Sequence, residues 1–421
     1  MTKPKVIITE RVSEKGIALL EQETEVTYRD GISREELLEI IGEYDALIVR
    51  SVTKVDEELV AAAKNLKVVG RAGNGIDNID VPACTRRGII VCNTPDSNTI
   101  SAAEQTIGLI LASARNIPQA NAFIKGGKWD RKPFRGVELY GKTIGIVGLG
   151  RIGSMVAERM ASFKMKVIAY DPYIPDERFV RFGAEKKNTL EELVREADFI
   201  TVHTPRNQET MGMIGRRELA MAKDGVRVIN CARGGIINEQ ALLEALESGK
   251  VASAGLDVFE EEPAINNPLF KFNNVVVTPH LGADTKEAQE RVGINIAEQV
   301  INALKGELVP NVVNLPTLLR QDLEFIRPFI DLCEAMGKFY FQIEKAPIDR
   351  VEITYCGEVA NHDREMLTIA FLKGLFTPVL GDRVNYVNAR MVAEERGLKV
   401  YEKKGYKDES YSNLIKVKII N

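Results

Sequence analysis

Histidines are the first candidates for chemistry, because imidazole is the side chain that ordinarily titrates near neutral pH. The sequence contains three of them. His280 stands in the motif T-P-H-L-G at residues 278–282, directly after an apolar run at residues 275–277. If that run is a strand of a parallel sheet, His280 lies at its carboxyl end, where such sheets bind ligands. His280 is therefore a candidate acid–base group, and a structural histidine that caps the next helix is the alternative.

The other two histidines carry weaker indications. His203 also ends an apolar run, and its place before Thr204 is as compatible with packing as with a role beside a cofactor. His362 lies in the polar opening of a predicted helix near the end of the chain, which is typical of a surface residue. We place neither of them in the predicted catalytic set.

Arg233 is a candidate for binding a substrate carboxylate. It lies in N-C-A-R-G-G at residues 230–235, again after an apolar run, and the glycines leave room for a ligand. A guanidinium fork there suits a carboxylate and polarises the neighbouring carbonyl group. The alternative is an ordinary exposed arginine.

A run of three carboxylates, Glu260, Glu261 and Glu262, precedes Pro263. Such a run is usually a solvated face. One of its members becomes functional if it pairs with His280, because a carboxylate holds the imidazolium in place.

A dinucleotide signature lies in the middle of the chain. The predicted strand at residues 143–147 runs directly into G-L-G-R-I-G at 148–153 and then into a helix. In this context Gly148 permits the tight turn, Gly150 admits a pyrophosphate, and Gly153 lets the helix pack closely on the strand. Asp171 ends the next strand about 20 residues later, where an acid binds the ribose hydroxyls. This pattern predicts NAD rather than NADP; a solvated carboxylate that caps a turn is the alternative for Asp171.

These groups must be positioned by a regular α/β framework. Short apolar, β-branched runs alternate with helical periodicity up to about residue 280, which indicates parallel sheets. The candidate strands are residues 6–8, 46–49, 67–69, 89–91, 143–147, 166–170, 199–203, 226–230, 252–256 and 275–278. They are too many for one ordinary doubly wound sheet, so we predict two.

The break between the sheets is predicted in the turn-rich residues 93–98. Helical runs at 99–114 and 285–304 flank the second sheet, so the chain leaves the first domain and returns to it. This organisation predicts a cleft between the two domains, where small-molecule sites usually lie. A further α+β tail is predicted from helices near 318–341 and 364–375, a strand near 351–355 and apolar alternation at 414–420.

Composition excludes several classes of protein. The 421 residues carry a formal charge of −4 with interleaved signs, which gives no basic surface for nucleic acid or an anionic membrane. Five scattered cysteines form no C-x-x-C pair, so we expect neither a disulfide framework nor a metal site. No segment predicts a signal peptide or a membrane span, and we therefore expect a cytoplasmic protein.

The motifs, taken in order, resemble those of the D-isomer-specific 2-hydroxyacid dehydrogenases. The resemblance covers roughly residues 5 to 315 and rests on G-L-G-R-I-G at 148–153, N-C-A-R-G-G at 230–235, G-L-D-V-F-E-E-E-P at 255–263 and P-H-L-G-A at 279–283. Further support comes from R-S-V-T-K at 50–54, G-R-A-G-N-G-I-D at 70–77, N-T-P at 93–95, S-A-A-E at 101–104 and G-K-W at 127–129.

The resemblance implies a role for particular residues. The implied catalytic set is Arg233, Glu262 and His280, which selects the last glutamate of the acidic run. The implied cofactor contacts are Asn74, Gly148, Gly150, Arg151, Ile152, Gly153, Asp171, Thr204, Cys231, Ala232, Asp257, Gly282 and Ala283. The expected substrate-binding residues are Arg50, Ser51, Arg71, Gly73, Asn74, Gly75, Arg131 and Lys132, although the exposed cations among them also fit ordinary surface charge.

The resemblance also implies an activity. We expect NAD-dependent oxidation of D-3-phosphoglycerate to 3-phosphohydroxypyruvate, the first step of the phosphorylated route to serine. A glyoxylate or hydroxypyruvate reductase is the alternative within the enzymes, because it shares the core residues. An NAD-sensing corepressor that acts as a binding module is the alternative from another class, because fold alone does not settle function.

We therefore predict an α/β fold of three parts. A flavodoxin-like, discontinuous substrate domain comprises residues 1–97 and 285–315, and a Rossmann-type doubly wound domain comprises 98–284. Residues 316–421 are expected to form an α+β accessory domain, a shortened or truncated form of the intervening domain of long family members, without their terminal serine-binding module. Inhibition by serine is then expected to be weak. The resemblance implies a homodimer or homotetramer.

Overall fold

The computed structural model describes residues 3–307, 309–316, 320–344, 347–406 and 410–420, without the side chains of 320–323 and 382. The chain divides into two compact units, residues 96–289 and the remainder on either side of them. Within the described residues the β structure consists of two parallel sheets and one small mixed sheet. The predicted fold class is confirmed.

The first sheet is fully parallel and has the order β2-β1-β3-β4-β5, which is the flavodoxin-like arrangement. Its strands are β1 (Lys5–Ile8), β2 (Glu25–Tyr28), β3 (Ala46–Val49), β4 (Val68–Arg71) and β5 (Ile90–Asn93). The connecting helices are α1 (Glu14–Glu23), α2 (Arg34–Ile40), α3 (Glu57–Ala62) and α4 (Val81–Arg86). Each begins after a serine or aspartate whose side chain accepts an N–H of the first turn.

The second sheet has seven parallel strands in the order β12-β11-β10-β9-β6-β7-β8. They are β6 (Thr143–Val147), β7 (Lys166–Tyr170), β8 (Glu185–Lys186), β9 (Phe199–Val202), β10 (Val226–Asn230), β11 (Val251–Leu256) and β12 (Val275–Val277). Seven helices precede or cover it: α5 (Thr99–Arg115), α6 (Ile117–Lys125), α7 (Arg151–Ser162), α8 (Asp176–Arg181), α9 (Leu190–Glu196), α10 (Arg216–Met221) and α11 (Glu239–Glu247). The strand order reverses between β6 and β9, as in doubly wound dinucleotide-binding sheets.

After the second sheet the chain continues through α12 (Lys286–Leu304) and into the tail. The tail contains α13 (Arg320–Ile343), β13 (Arg350–Gly357), α14 (Arg364–Leu380), α15 (Ala389–Glu395), β14 (Lys399–Lys404) and β15 (Asn413–Ile420). Strand β13 lies at the centre of the small sheet, and α13 and α14 approach each other at two glycines. A Cβ on Gly337 would lie 2.2 Å from the Phe371 oxygen, and one on Gly374 would lie 2.1 Å from the Glu334 oxygen. The predicted start of the first tail helix, residue 318, lies outside the described residues.

Three strands escape the sequence prediction: β2, β8 and β14. Each lies at the edge of its sheet and so has one neighbouring strand. Edge strands are often short or charged because a long apolar edge would invite aggregation. Strand β8 has two residues, and β14 carries four charges in six residues. These strands therefore lack the apolar run that indicates a buried strand.

Candidate active site

His280 and Glu262 form a hydrogen-bonded pair at the carboxyl edge of the second sheet. The Nδ1 atom of His280 lies 2.7 Å from Oε2 of Glu262, and the backbone N–H of Phe259 donates to Oε1 at 3.0 Å. Partial burial works against the charged form of Glu262. The hydrogen bonds from His280 and Phe259, with the charges of His280 and Arg233, outweigh it and hold the pKa of the carboxyl below its usual value. The pair leaves Nε2 of His280 for a proton exchange.

The backbone around His280 has an unusual conformation. Its φ angle is +55°, in the left-handed region that a residue other than glycine rarely adopts. The N–H of His280 donates to the Asp257 carbonyl at 2.9 Å. Such a conformation persists only where its surroundings require it, and it is common at functional sites.

Asp257 supplies those surroundings. Its carboxylate is fully buried and accepts the N–H groups of Leu281 and Gly282, each at 2.8 Å, and the hydroxyl of Thr278 at 2.5 Å. The family resemblance implies that Asp257 is a cofactor contact, and in the structure its carboxylate faces the loop that carries His280. Asp257 therefore holds the histidine loop.

Two residues of this network were not predicted. Gln105 on α5 donates from Nε2 to Thr278 Oγ1 at 3.0 Å and to Asp257 Oδ1 at 3.4 Å. The position of Thr278 at the end of a strand was a usable signal. No signal in the sequence indicated the role of Gln105, because this residue lies more than 150 positions from its hydrogen-bond partners.

The loop that carries Arg233 is held by the preceding strand end. Asn230 accepts the Ala232 N–H at 3.0 Å and donates to the Arg233 carbonyl at 2.9 Å. The guanidinium of Arg233 donates to the Ala232 carbonyl at 2.7 Å. A Cβ on Gly234 would lie 1.7 Å from the Phe259 oxygen, so the loop contacts the backbone just before Glu262. The structure thus brings together the three predicted catalytic residues in one unit.

The three glycines of the dinucleotide motif serve different geometric purposes. Gly148 has φ +91°, and Gly153 lies so close to the turn that a Cβ there would stand 2.1 Å from the Gly148 oxygen. A Cβ on Gly150 would meet no atom within 4 Å. No side chain caps the N-terminus of α7, which begins at Arg151. The turn therefore presents free helix N–H groups beside open space, which suits a pyrophosphate.

Asp171 connects the glycine-rich turn with the end of β7. Its Oδ2 accepts the Leu149 N–H at 2.9 Å and its Oδ1 accepts the Tyr173 N–H at 3.0 Å. Each carboxylate oxygen has a second acceptor position for a ribose hydroxyl. The two interpretations of Asp171, turn cap and ribose acceptor, are compatible. The residues around the turn fit a dinucleotide.

Apart from Asn74, which belongs to the other unit, the remaining predicted cofactor residues lie in the same unit as this turn. Thr204 lies against Gly148, and its hydroxyl contacts the Met213 sulfur at 3.9 Å. Cys231 is buried, and burial together with the nearby charge of Asp257 raises the pKa of its thiol above the usual range. Arg151 pairs with Asp96 at 2.6 Å, while Ile152 follows it in the first turn of α7. The carbonyls of Gly282 and Ala283 accept hydrogen bonds from Ser101 and Gln289.

The other two histidines, His203 and His362, make packing and hydrogen-bond contacts outside the His280–Glu262 pair. His203 accepts or donates a hydrogen bond with Thr201 at 3.0 Å, and burial lowers its pKa to about 4, so its imidazole is neutral at neutral pH. His362 was predicted at the surface. It is instead half-buried, with its ring stacked on Phe325 at a centroid distance of 4.4 Å.

Most predicted substrate residues lie at the carboxyl edge of the first sheet. Arg50 and Ser51 follow β3, and Arg71 ends β4. Gly73 has φ +142°, and a Cβ there would lie 1.6 Å from Nη1 of Arg71, so the guanidinium occupies the space above the glycine. Asn93 at the end of β5 donates to the Asn74 carbonyl at 2.7 Å, just before Gly75. Cationic and amide side chains thus gather at one edge.

Arg131 and Lys132 lie in the other unit, on the segment after α6, and their side chains are exposed. The N–H of Lys132 donates to Asp130 at 3.0 Å. Ordinary surface charge and substrate binding both remain compatible with this position.

Two family models match this chain. Residues 107–282 match the model of the D-isomer specific 2-hydroxyacid dehydrogenase NAD binding domain. Residues 325–421 match the D-3-phosphoglycerate dehydrogenase intervening domain. The tail therefore has a counterpart of known type.

Individual proteins agree with these matches. The D-3-phosphoglycerate dehydrogenase of Methanocaldococcus jannaschii is 48% identical over 413 residues, which cover 98% of this chain and 79% of the relative. The glyoxylate reductase of Paecilomyes thermophila is 33% identical, with a TM-score of 0.69 over 74% of this chain and 99% of its own. The D-lactate dehydrogenase of Aquifex aeolicus, solved with NAD and lactic acid, is 28% identical, with a TM-score of 0.66 over 74% of this chain and 100% of its own.

Proposed function

This chain belongs to the D-isomer-specific 2-hydroxyacid dehydrogenases, among the D-3-phosphoglycerate dehydrogenases, and from that premise we propose its reaction and the residues that perform it. The family is NAD-dependent. The proposed reaction is the oxidation of D-3-phosphoglycerate to 3-phosphohydroxypyruvate, the first step of the phosphorylated route to serine. The observation that carries the proposal is the His280–Glu262 pair, which stands beside the Arg233 loop at the carboxyl edge of a dinucleotide-binding sheet.

In the proposed mechanism His280 is the base. Its Nε2 accepts the proton of the substrate 2-hydroxyl, while the hydrogen on the same carbon leaves as hydride and the carbon–oxygen bond becomes a carbonyl. Bound NAD would supply the acceptor for that hydride, and the glycine-rich turn and Asp171 would hold it. Glu262 holds the imidazole through Nδ1 and offsets the positive charge that develops on it. In the reverse direction protonated His280 is the acid.

Arg233 is proposed to bind the substrate carboxylate. A guanidinium offers two parallel N–H donors that match a carboxylate, and its charge stabilises the negative charge that develops on the reacting oxygen. Asn230 and Gly234 set the course of its loop. The carboxylate contact directs the 2-carbon towards His280.

The phosphate of the substrate requires cations of its own. We propose that Arg50, Ser51 and Arg71, with the backbone of residues 73–75, bind it, and that Arg131 and Lys132 add positive charge. The gathering of Arg50, Ser51, Arg71 and residues 73–75 at the carboxyl edge of the first sheet supports their assignment, whereas Arg131 and Lys132 lie in the other unit. Guanidinium groups are common phosphate ligands because they bind two oxygens at once.

The cofactor contacts are proposed as they were inferred from the sequence. Gly148, Gly150, Gly153 and the first turn of α7 would receive the pyrophosphate, and Asp171 the ribose. A carboxylate at position 171 repels a 2′-phosphate and so favours NAD. The contacts proposed for the remaining positions are Asn74, Arg151, Ile152, Thr204, Cys231, Ala232, Asp257, Gly282 and Ala283.

A turnover assay tests the proposed reaction. D-3-Phosphoglycerate with NAD is compared with glyoxylate and hydroxypyruvate, each with NADH. Preference for the phosphorylated substrate supports the proposal, and preference for glyoxylate would instead indicate a reductase like that of Paecilomyes thermophila. Tight NAD binding without turnover of any of them would favour a binding module. His280→Ala is expected to reduce turnover by about 10²- to 10⁴-fold with NAD affinity nearly intact.

We further propose a homodimer or homotetramer formed through the nucleotide-binding unit. Helix α6 has no buried residue and exposes Ile117 and Ile124, and Trp129 and Tyr140 nearby are 88% and 73% exposed. Apolar exposure of this extent on one segment is typical of a subunit contact. Analytical sedimentation of the wild type and of a Trp129→Ala variant measures the oligomeric state and its dependence on this segment.

Domain limits and location complete the proposal. We propose residues 1–97 with 285–315, 98–284 and 316–421 as functional domains; the chain divides structurally into two units, after residues 95 and 289, and the tail is grouped with the first sheet. None of the described helices is long and apolar enough to cross a membrane. A cytoplasmic location is supported by the five cysteines, which are all buried and unpaired, as is usual in a reducing compartment.

A further inference from the structure

Glu10 receives four successive backbone N–H groups from one loop. Its Oε1 accepts the N–H of Arg50 at 2.8 Å and of Thr53 at 2.9 Å. Its Oε2 accepts the N–H of Ser51 at 3.0 Å and of Val52 at 3.1 Å. The four residues, here termed the 50–53 loop, include two of the proposed substrate contacts, and Glu10 belongs to none of the sets assigned above.

Topology places the carboxylate there. Strands β1 and β3 are parallel neighbours, so their carboxyl ends meet at the same edge of the sheet. Glu10 lies two residues past β1, and the 50–53 loop follows β3 directly. The order of the sheet reverses between these two strands, and at such a point doubly wound proteins bind their ligands. Glu10 is 9% exposed there.

A second side chain binds the carbonyl side of the same loop. The Nδ2 group of Asn78 donates to the Arg50 carbonyl at 2.9 Å and to the Thr53 carbonyl at 2.6 Å. The hydroxyls of Thr9 and Thr53 lie 2.8 Å apart. The four N–H groups of the loop and the carbonyls of Arg50 and Thr53 are therefore bound within the unit, which holds the loop in place before any substrate arrives.

The electrostatics agree with this geometry. Burial disfavours the charged form of Glu10, yet the N–H groups of Thr53, Arg50 and Val52 hold its pKa below the usual value. Successive N–H groups that converge on one point make an anion-binding concavity. In this chain the anion in that concavity is the protein's own carboxylate.

We propose that Glu10 is a positioning residue for phosphate recognition: it occupies the four amides of the 50–53 loop so that the side chains of Arg50 and Ser51 meet the substrate phosphate. The inference rests on the proposed function, because it assigns the phosphate to this loop. With the amides already bound, the loop offers a phosphate its side chains and not its backbone. Specificity for the phosphorylated substrate then depends on a glutamate that never touches it.

The test compares substrates that differ by the phosphate alone. Glu10→Gln keeps the shape of the side chain but turns an NH2 group towards two of the amides. We expect KM for 3-phosphohydroxypyruvate to rise about tenfold or more, with a smaller change in kcat and in KM for unphosphorylated hydroxypyruvate. Asn78→Ala is a second variant, expected to act in the same direction more weakly.

Asp45→Asn is the matched control. Its carboxylate also accepts a backbone N–H of the same sheet, that of Lys5 at 2.9 Å, but it precedes β3 and lies at the opposite edge. We expect its kinetic constants to stay within about twofold of wild type. An equal loss towards both oxo acids in Glu10→Gln, or an equal effect in the control, would overturn the proposal.

Hydrogen exchange provides a readout that needs no turnover. In free wild-type protein the amides of residues 50–53 should be protected; in Glu10→Gln they should exchange faster while those of β3 stay protected. Unchanged exchange at these four amides would contradict the inference. If the wild type fails to oxidise D-3-phosphoglycerate, the proposed function fails, and the exchange result still reports whether Glu10 holds the loop.

Discussion

Gly234 contacts the backbone of Phe259 so closely that a Cβ on the glycine would stand 1.7 Å from the Phe259 oxygen and 2.7 Å from the Glu260 nitrogen. Phe259 in turn donates its N–H to Glu262 at 3.0 Å. The loop that carries Arg233 and the loop that carries Glu262 are therefore joined through a position where only hydrogen fits. The geometry between the carboxylate-binding group and the acid–base pair depends on this contact.

Gly234→Ala should therefore impair catalysis. Relief of the contact must move one of the two loops, and a displacement near 1 Å at reacting groups costs on the order of 10²-fold in kcat/KM. Steady-state kinetics measure the loss. The control is Gly108→Ala, because a Cβ there meets no atom within 4 Å and Gly108 lies in a helix. If Gly234→Ala keeps wild-type kcat/KM, the contact is not important for the site.

Substitutions at two glycines of the dinucleotide motif should affect NAD affinity and thermal stability differently. Gly150→Ala adds a methyl group to open space, so thermal stability should be preserved while NAD affinity falls at least about tenfold. Gly153→Ala places a Cβ 2.1 Å from the Gly148 oxygen and should lower Tm as well. Calorimetric titration with NAD and thermal unfolding measure the two effects. The idea fails if both variants bind NAD as the wild type does.

Glu262→Gln should reduce kcat by about tenfold or more, because the imidazolium of His280 loses the charge that offsets it. The neighbouring Glu261→Gln, exposed in the same acidic run, serves as the control and should retain kcat. Equal kcat values for the two variants would remove Glu262 from the mechanism.

The stability difference between wild type and Glu262→Gln should depend on pH in one direction. The folded state lowers the pKa of Glu262 from 4.5, so the stabilisation is complete above that value and is lost as pH falls through the lowered pKa. The difference in Tm should therefore be present at about pH 5 and shrink in more acidic buffer. A difference that grows on acidification would show the opposite sign of the shift.

Glu334 should contribute substantially to the stability of the tail. Its side chain is 15% exposed and binds Lys338 at 2.6 Å, Lys373 at 2.7 Å and the Tyr386 hydroxyl at 2.7 Å. Burial works against its ionisation, but these three partners lower its pKa to about 2. Glu334→Gln should cost about 2 kcal/mol or more above pH 4.5, with the loss fading between pH 4.5 and pH 2.

Denaturant unfolding, followed by a spectroscopic probe placed in the tail, measures this cost. The control is Glu23→Gln, whose ion pair with Lys305 is about half exposed and should contribute less than about 0.5 kcal/mol. Similar losses in both variants would show that the partners of Glu334 add nothing beyond a surface pair.

Local sequence patterns were sufficient to predict the buried central strands and the glycine-rich turn. The strand that precedes Gly148, the glycine spacing and Asp171 were predicted from adjacent residues, because a buried parallel strand must be apolar and a pyrophosphate turn must lack side chains. Strands β2, β8 and β14 were not predicted, because a strand at the edge of a sheet does not have to be apolar. Boundaries of the central strands were predicted within about a residue or two.

The site required the tertiary structure wherever its partners are distant in sequence. The residues alone left three glutamates open as partners for His280; the structure pairs Glu262 with the histidine and turns Glu260 towards the Glu239 N–H. Gln105 reaches Asp257 across 152 positions, and Glu10 reaches Arg50 across 40. Composition and periodicity indicate which side of each segment is buried, but they do not indicate which distant residue it contacts. Which carboxylate meets which amide is decided by strand order, because that order brings distant strand ends to one edge of a sheet.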